Sequence, residues 1–236
     1  WMMVTTPLFF FFAKKLFKNS RQAFFSSFIF VLLTTLPWFE GHIPNGELFV
    51  MGFVMVALTF LAKTSLFKNF INNKPKLALE TNSKKETGLL VLSGIFLGLG
   101  ILTKVPGLLD FGAAALFGWF AFTSSITLKS QKLKEKIALL GKFISKSMFL
   151  FIGTLIPIIG SIIYFVSIGS GRDYLDYGLL YNFRYSGSWN PDFPSAFIGM
   201  LFTLPGKIII LFAIIAILSF ARKKFTPVFQ FIAGWF

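Results

Sequence analysis

The sequence predicts an all-α, polytopic transmembrane helical bundle, and three observations carry that prediction. Apolar residues make up 55% of the 236 residues, with 34 Phe, while charged residues make up only 14%. Soluble domains carry about 25% charged residues. Mean hydropathy is +0.74, which excludes both a soluble single-core enzyme and a disordered chain. Long apolar runs alternate with short loops rich in lysine. Backbone polar groups in lipid must be paired within the spanning segment, and these runs are too long for barrel strands, so helices follow.

The elements follow in chain order from the apolar runs. Val4 to Phe12 is apolar but short of the roughly 20 residues that cross a bilayer, and reads as the end of a partial span. Full spans are expected at Ala23 to Phe39, Leu48 to Phe67, Leu89 to Thr103, Val105 to Ile126, Phe143 to Ile168 and Phe197 to Ala221. Lys63 lies near enough to the end of its span to snorkel. A further partial span begins at Phe225 and runs to Phe236. The expectation is one transmembrane domain over 1–236, about six full spans, truncated on both sides. No charged n-region with an h-region and cleavage site is visible at the start.

The net charge of +14 has two readings, nucleic-acid binding and membrane topology. All but four of the 23 Lys and Arg fall in one alternating set of loops. They are Lys14 to Arg21, Lys63 to Lys85, Lys129 to Lys146 and Arg222 to Lys224. The exceptions are Lys104, Arg172, Arg184 and Lys207. The positive-inside rule then places the basic loops in the cytoplasm of a multi-pass plasma-membrane protein. Nucleic acid is not an expected partner, because no recognition motif accompanies the lysines. The stretch from Lys68 to Thr87 is expected as a polar cytoplasmic loop. No phosphate-binding GxxxxGK[ST] loop and no repeat of fixed period occurs.

The chemistry is constrained by scarcity. There is no Cys and a single His, so thiolate sites and a His-based zinc site are excluded. Of nine acidic residues, Glu80, Glu86 and Glu135 lie among lysines and are expected to be solvated. Glu40, Glu47, Asp110, Asp173, Asp176 and Asp192 fall on the opposite, outer side. The first outer loop puts Glu40, His42, Asn45 and Glu47 within eight residues, with Gly41, Pro44 and Gly46 shaping turns. Glu47 is either a first-turn acid on a helix capped by Asn45, or Glu40 or Glu47 faces a cavity that takes an anionic lipid or a hard divalent cation such as Mg²⁺ or Mn²⁺.

Further along, Gly94 and Gly98 stand four apart, on one helix face that permits close packing. Lys104 closes that helix, Val105-Pro106-Gly107 breaks the chain, and Asp110 follows one turn into the next helix. Charges at membrane depth are costly and point to function. Lys104 and Asp110 either brace the hairpin as an ion pair, or Lys104 binds a phosphate. The long outer loop from Gly169 to Ser195 carries Tyr174, Tyr177, Tyr181 and Tyr185 at spacings of three, four and four. That spacing puts them on one face of a short helix, either as an interfacial aromatic belt or, with Arg184, as the lining of a sugar or lipid-phosphate site. Lys207 follows Pro205-Gly206 and is a further lipid-phosphate candidate.

The run TPLFFFFAKKLF, then LPWFEGHIPNGELF, then SGIFLGLGILTKVPGLLD, then an aromatic outer loop resembles the GT-C class of membrane glycosyltransferases. It is most similar to the protein O-mannosyltransferase and aminoarabinose-transferase-like branch. The shared features are a small-residue helix ending in a TK-x-P turn, here Thr103 to Pro106, and an acidic residue opening a span, here Glu47. The resemblance implies transfer of a hexosyl or pentosyl group from a polyprenyl-phosphate donor to a protein or glycolipid acceptor at the outer face of the bilayer. It implies a carboxylate as general base, with Lys104, Arg184 or Lys207 stabilising the leaving phosphate. The family's principal catalytic acid lies in an earlier outer loop, expected before Trp1. The competing expectations are a transporter or flippase of lipid-linked sugars, and a structural membrane subunit.

Overall fold

A computed structural model describes residues 1–35, 45–72, 84–105, 107–126 and 133–181. Within them the chain is all-helical, 90% helix and without strands. Helix α1 spans Met2–Phe17, α2 Ser20–Thr35, α3 Gly46–Leu61, α4 Ser65–Ile71, α5 Lys84–Thr103, α6 Gly107–Ile126 and α7 Leu133–Ser167. A short segment follows, α at Gly171–Asp173 and π at Tyr174–Leu179.

Local chemistry sets the boundaries. Lys18 ends α1 in the left-handed region at φ 55, its N–H bonded to the Lys14 carbonyl. The Asn19 side chain accepts from Arg21 N at 2.9 Å and Gln22 N at 3.3 Å, so α2 starts at once. Asn45 caps α3 by accepting from Leu48 N at 3.3 Å, as expected, with Glu47 in the first turn. The first partial span is longer than expected, because α1 continues through Lys14 and Lys15 to Phe17.

The expected span from Leu48 to Phe67 is instead broken. Helices α3 and α4 meet at 81°. Thr64 makes the break: its hydroxyl donates to the Leu61 carbonyl at 2.6 Å and accepts from Phe67 N at 3.1 Å. The first residues of the expected polar loop are therefore helical, and α4 buries Leu66, Phe67, Phe70 and Ile71. Helix α7 also differs. It begins ten residues before the expected span and runs 35 residues, about 52 Å at 1.5 Å per residue. Pro157 lies inside it without ending it.

The helices alternate in direction. Trp1 donates to the Leu48 carbonyl while Lys18 reaches Ile71 and Asn72, so α1 runs alongside α3. Ser93 donates to the Ala57 carbonyl and Lys104 meets Glu47, so α5 runs opposite to α3. Phe111 packs on Phe151 and Trp119 on Phe143, so α6 runs opposite to α7. One end of the bundle therefore gathers Lys14, Lys15, Lys18, Lys68, Lys84 and Lys85, and the other gathers Glu47, Lys104 and Gly107. The core lies between α1, α3, α4, α5, α6 and α7.

Close backbone approach locks α5 to α7. A Cβ added at Gly94 would stand 2.1 Å from the Leu150 carbonyl, and one at Gly98 2.3 Å from that of Thr154. The small-residue face read from the sequence is thus a backbone-to-backbone helix contact. Gly153 is its counterpart on α7, at 2.2 Å from the Val91 carbonyl.

Helices α5 and α7 are long and apolar enough to cross a membrane, and the bent α3–α4 pair makes a third candidate. Helices α1 and α2 have 16 residues each, about 24 Å, short of the ~30 Å hydrocarbon layer. Large apolar side chains remain exposed along α2 and α7, among them Phe24, Phe25, Phe28, Met148, Ile152, Ile156 and Ile163. An apolar exterior of this kind suits a bilayer rather than water.

Candidate functional site

Three of the residues singled out from the sequence meet at one cavity. Glu47, Lys104 and Asp110, from the start of α3, the end of α5 and the start of α6, line a space of about 270 Å³. Val50, Met51, Val54, Met55 and Gly107 complete its wall. The site lies at the lysine-poor end of the bundle, where three helix termini converge.

Each placement has a local cause. Asn45 starts α3 so that Glu47 sits in its first turn, near the positive helix end. Lys104 ends α5, its N–H bonded to the Gly100 carbonyl. A Cβ at Gly107 would lie 2.9 Å from the backbone of Gly100. That contact lets α6 begin against α5 and brings Asp110 to the cavity.

Lys104 donates to the carboxylate of Glu47, 57 residues away in sequence. Both side chains are partly exposed, 39% for Lys104 and 56% for Glu47. The ammonium therefore remains reachable from the cavity. The lining carries one cation, Lys104, and two carboxylates, Glu47 and Asp110, over an apolar wall suited to a lipid or a sugar ring.

The divalent-cation expectation fits less well. Among the described residues no three His, Asp or Glu side chains converge as metal ligands. The Glu47 carboxylate is taken by an ammonium, which a cation would have to displace.

Glu40, His42, Arg184 and Lys207 lie outside the described residues. So does Tyr185. Of the other tyrosines, Tyr174 is partly buried while Tyr177 and Tyr181 are exposed. Residues Tyr174–Leu179 form a π-helix, closed by Leu180 N bonding to the Leu175 carbonyl at 2.9 Å. This wider turn takes i→i+5 pairing. Tyr174 turns back onto α7, with its hydroxyl 2.8 Å from Ser161 Oγ and its ring stacked on Phe165 at 4.2 Å.

Glu86 was expected to be solvated and is not. It is 4% exposed. Its carboxylate accepts from Ser65 N at 2.7 Å, Ser65 Oγ at 2.6 Å and Leu66 N at 3.0 Å, and pairs with Lys146 at 3.1 Å. Lys146, counted above among loop lysines, is likewise buried within α7. The cause is tertiary: the broken α3–α4 junction leaves backbone donors that need an acceptor, and α5 supplies it. The sequence signal was an acid inside a lysine run, and spacing does not separate that from a solvated side chain. Compared with known protein families, curated proteins and solved structures, the chain matches none.

Proposed function

We propose that this protein is a membrane glycosyltransferase that moves a sugar from a polyprenyl-phosphate donor to a hydroxyl acceptor at the extracytoplasmic face. The observation that carries the reading is the cavity shared by Glu47, Lys104 and Asp110 at the lysine-poor end. The sequence resemblance to GT-C enzymes points the same way. The lysine-rich end then faces the cytoplasm, as the positive-inside rule requires.

In the proposed reaction the acceptor oxygen attacks the anomeric carbon. The bond from that carbon to the phosphate oxygen breaks, and the lipid phosphate leaves with the electron pair. The acceptor proton passes to a carboxylate acting as general base. Lys104 meets the leaving phosphate, whose charge grows as the bond breaks. Glu47 holds the ammonium in place before the donor arrives. Arg184 and Lys207 are further phosphate candidates from the sequence.

The test uses cell membranes containing the protein, supplied with radiolabelled polyprenyl-phosphate hexoses and pentoses and with endogenous acceptors. Wild type is expected to transfer label. Lys104→Ala should lower the rate by about 10²–10³-fold, the cost of removing one preorganised donor, and Lys104→Arg should restore part of it. Donor that is never consumed removes the enzyme reading. Donor that crosses sealed vesicles uncleaved replaces it with a transporter of lipid-linked sugars.

A further inference from the structure

A second cavity lies at the opposite end, independent of the site above. It has a volume of about 490 Å³ and sits between the end of α1 and the α3–α4 bend. Lys14, Lys15 and Lys18 reach it from α1, and Lys68 reaches it from α4. Phe11, Phe67 and Ile71 form an apolar wall. No carboxylate belongs to its lining among the described residues.

We propose that this cavity binds the phosphate head of an anionic membrane glycerolipid at the lysine-rich face. The positive-inside rule asks only that lysines lie somewhere in a loop. Here two separate helices bring them around one hollow. Lys18 frames it: its ammonium donates to the Ile71 carbonyl at 3.2 Å and to Asn72 Oδ1 at 2.5 Å, tying α1 to the end of α4. Lys14, Lys15 and Lys68 remain exposed around the opening.

Geometry selects a lipid over a soluble anion. Helix α4 turns 81° from α3, so with α3 across the bilayer it lies near the interfacial plane. Its apolar residues face the protein and Lys68 is outward. The hollow is therefore at headgroup height, with ammonium groups around its opening and aromatic and aliphatic carbon on its wall. Lysine clusters placed there attract anionic lipids, and basic pockets between helices take their phosphate heads. A free phosphate has no use for the apolar wall.

Purified protein in a neutral detergent, titrated with dioleoyl phosphatidylglycerol and followed by native mass spectrometry, tests this. One tightly held lipid is expected, with dioleoyl phosphatidylcholine held at least about tenfold more weakly. Lys14→Gln/Lys15→Gln/Lys68→Gln should weaken phosphatidylglycerol by about tenfold or more. Lys85→Gln/Lys134→Gln/Lys142→Gln removes the same charge elsewhere and should leave affinity within about twofold. A photoactivatable phosphatidylglycerol on the unaltered protein should crosslink within α1 or α4, which keeps the test independent of folding by the variants. Equal loss in both triple variants, or crosslinks confined to other helices, would overturn the assignment. Displacement by millimolar inorganic phosphate would overturn the lipid in favour of a soluble anion.

Discussion

Replacing Gly94 by Ala in α5 perturbs a close backbone contact with α7. The new Cβ would stand 2.1 Å from the Leu150 carbonyl oxygen and 2.8 Å from Thr154 N. Both are backbone atoms inside α7, so neither can rotate away. Restoring an ordinary separation requires α5 and α7 to part locally by about 1 Å, since real Cβ contacts rarely fall below 3.0 Å. A gap of 0.5–1 Å forfeits about a quarter to a half of each pairwise dispersion well along the seam. Overpacking of this kind costs about 1–3 kcal/mol. Alanine returns about 1 kcal/mol of helix propensity, so a net loss of about 0–2 kcal/mol is expected. The matched control is Gly160→Ala in α7, where no atom lies within 4 Å of the new Cβ. It should be neutral, or more stable by about 0.5–1 kcal/mol. Gly94→Ala/Gly98→Ala should cost less than the sum of the single changes, because one separation relieves both. Unfolding titrations of the detergent-solubilised protein read all four quantities. If Gly94→Ala falls within about 0.5 kcal/mol of Gly160→Ala, α5 and α7 are not packed backbone to backbone and the reasoning is wrong.

The Glu86–Lys146 pair is buried on both sides, at 5% and 7% side-chain exposure. Glu86→Gln or Lys146→Met alone should each cost about 3–5 kcal/mol by stranding a buried charge, and the double variant should cost clearly less than the sum in the same titration. Additive losses would show that the two side chains do not interact. For orientation, a Cys placed at Ser130 should resist an impermeant thiol reagent in intact cells, while one at Ser186 should react; the native chain has no Cys to interfere. The reverse pattern would invert the proposed topology and put the Glu47–Lys104 cavity on the cytoplasmic side.

Composition and hydropathy alone were enough to read an all-helical chain with apolar spans, and the loop-by-loop lysine count already divided it into two ends. Gly94 and Gly98 were legible as a packing face because small residues four apart leave room for one thing, a close neighbour. Asn45 and Glu47 were legible as a helix start because capping is local, settled within three residues. The other assignments needed the third dimension. Lipid tails are as apolar as leucine, so a spanning helix can be apolar on every face, and its periodicity does not say which side meets protein. Hence the sequence did not name Gly153 as the partner of Gly94. It also did not foresee the break at Thr64, because a hydroxyl in an apolar run is compatible with a continuous helix. The break is supported by Glu86, which reaches the exposed donors of Ser65 and Leu66 from another helix. For the same reason Glu86 and Glu135 look alike in the sequence, though Glu86 is buried in an ion pair and Glu135 is exposed. The sequence marked Glu47, Lys104 and Asp110 as unusual charges. That Glu47 and Lys104 meet across 57 residues, with Asp110 beside them in one cavity, was decided by the antiparallel packing of α3 and α5, because charge pairing depends on distance in space rather than on separation along the chain.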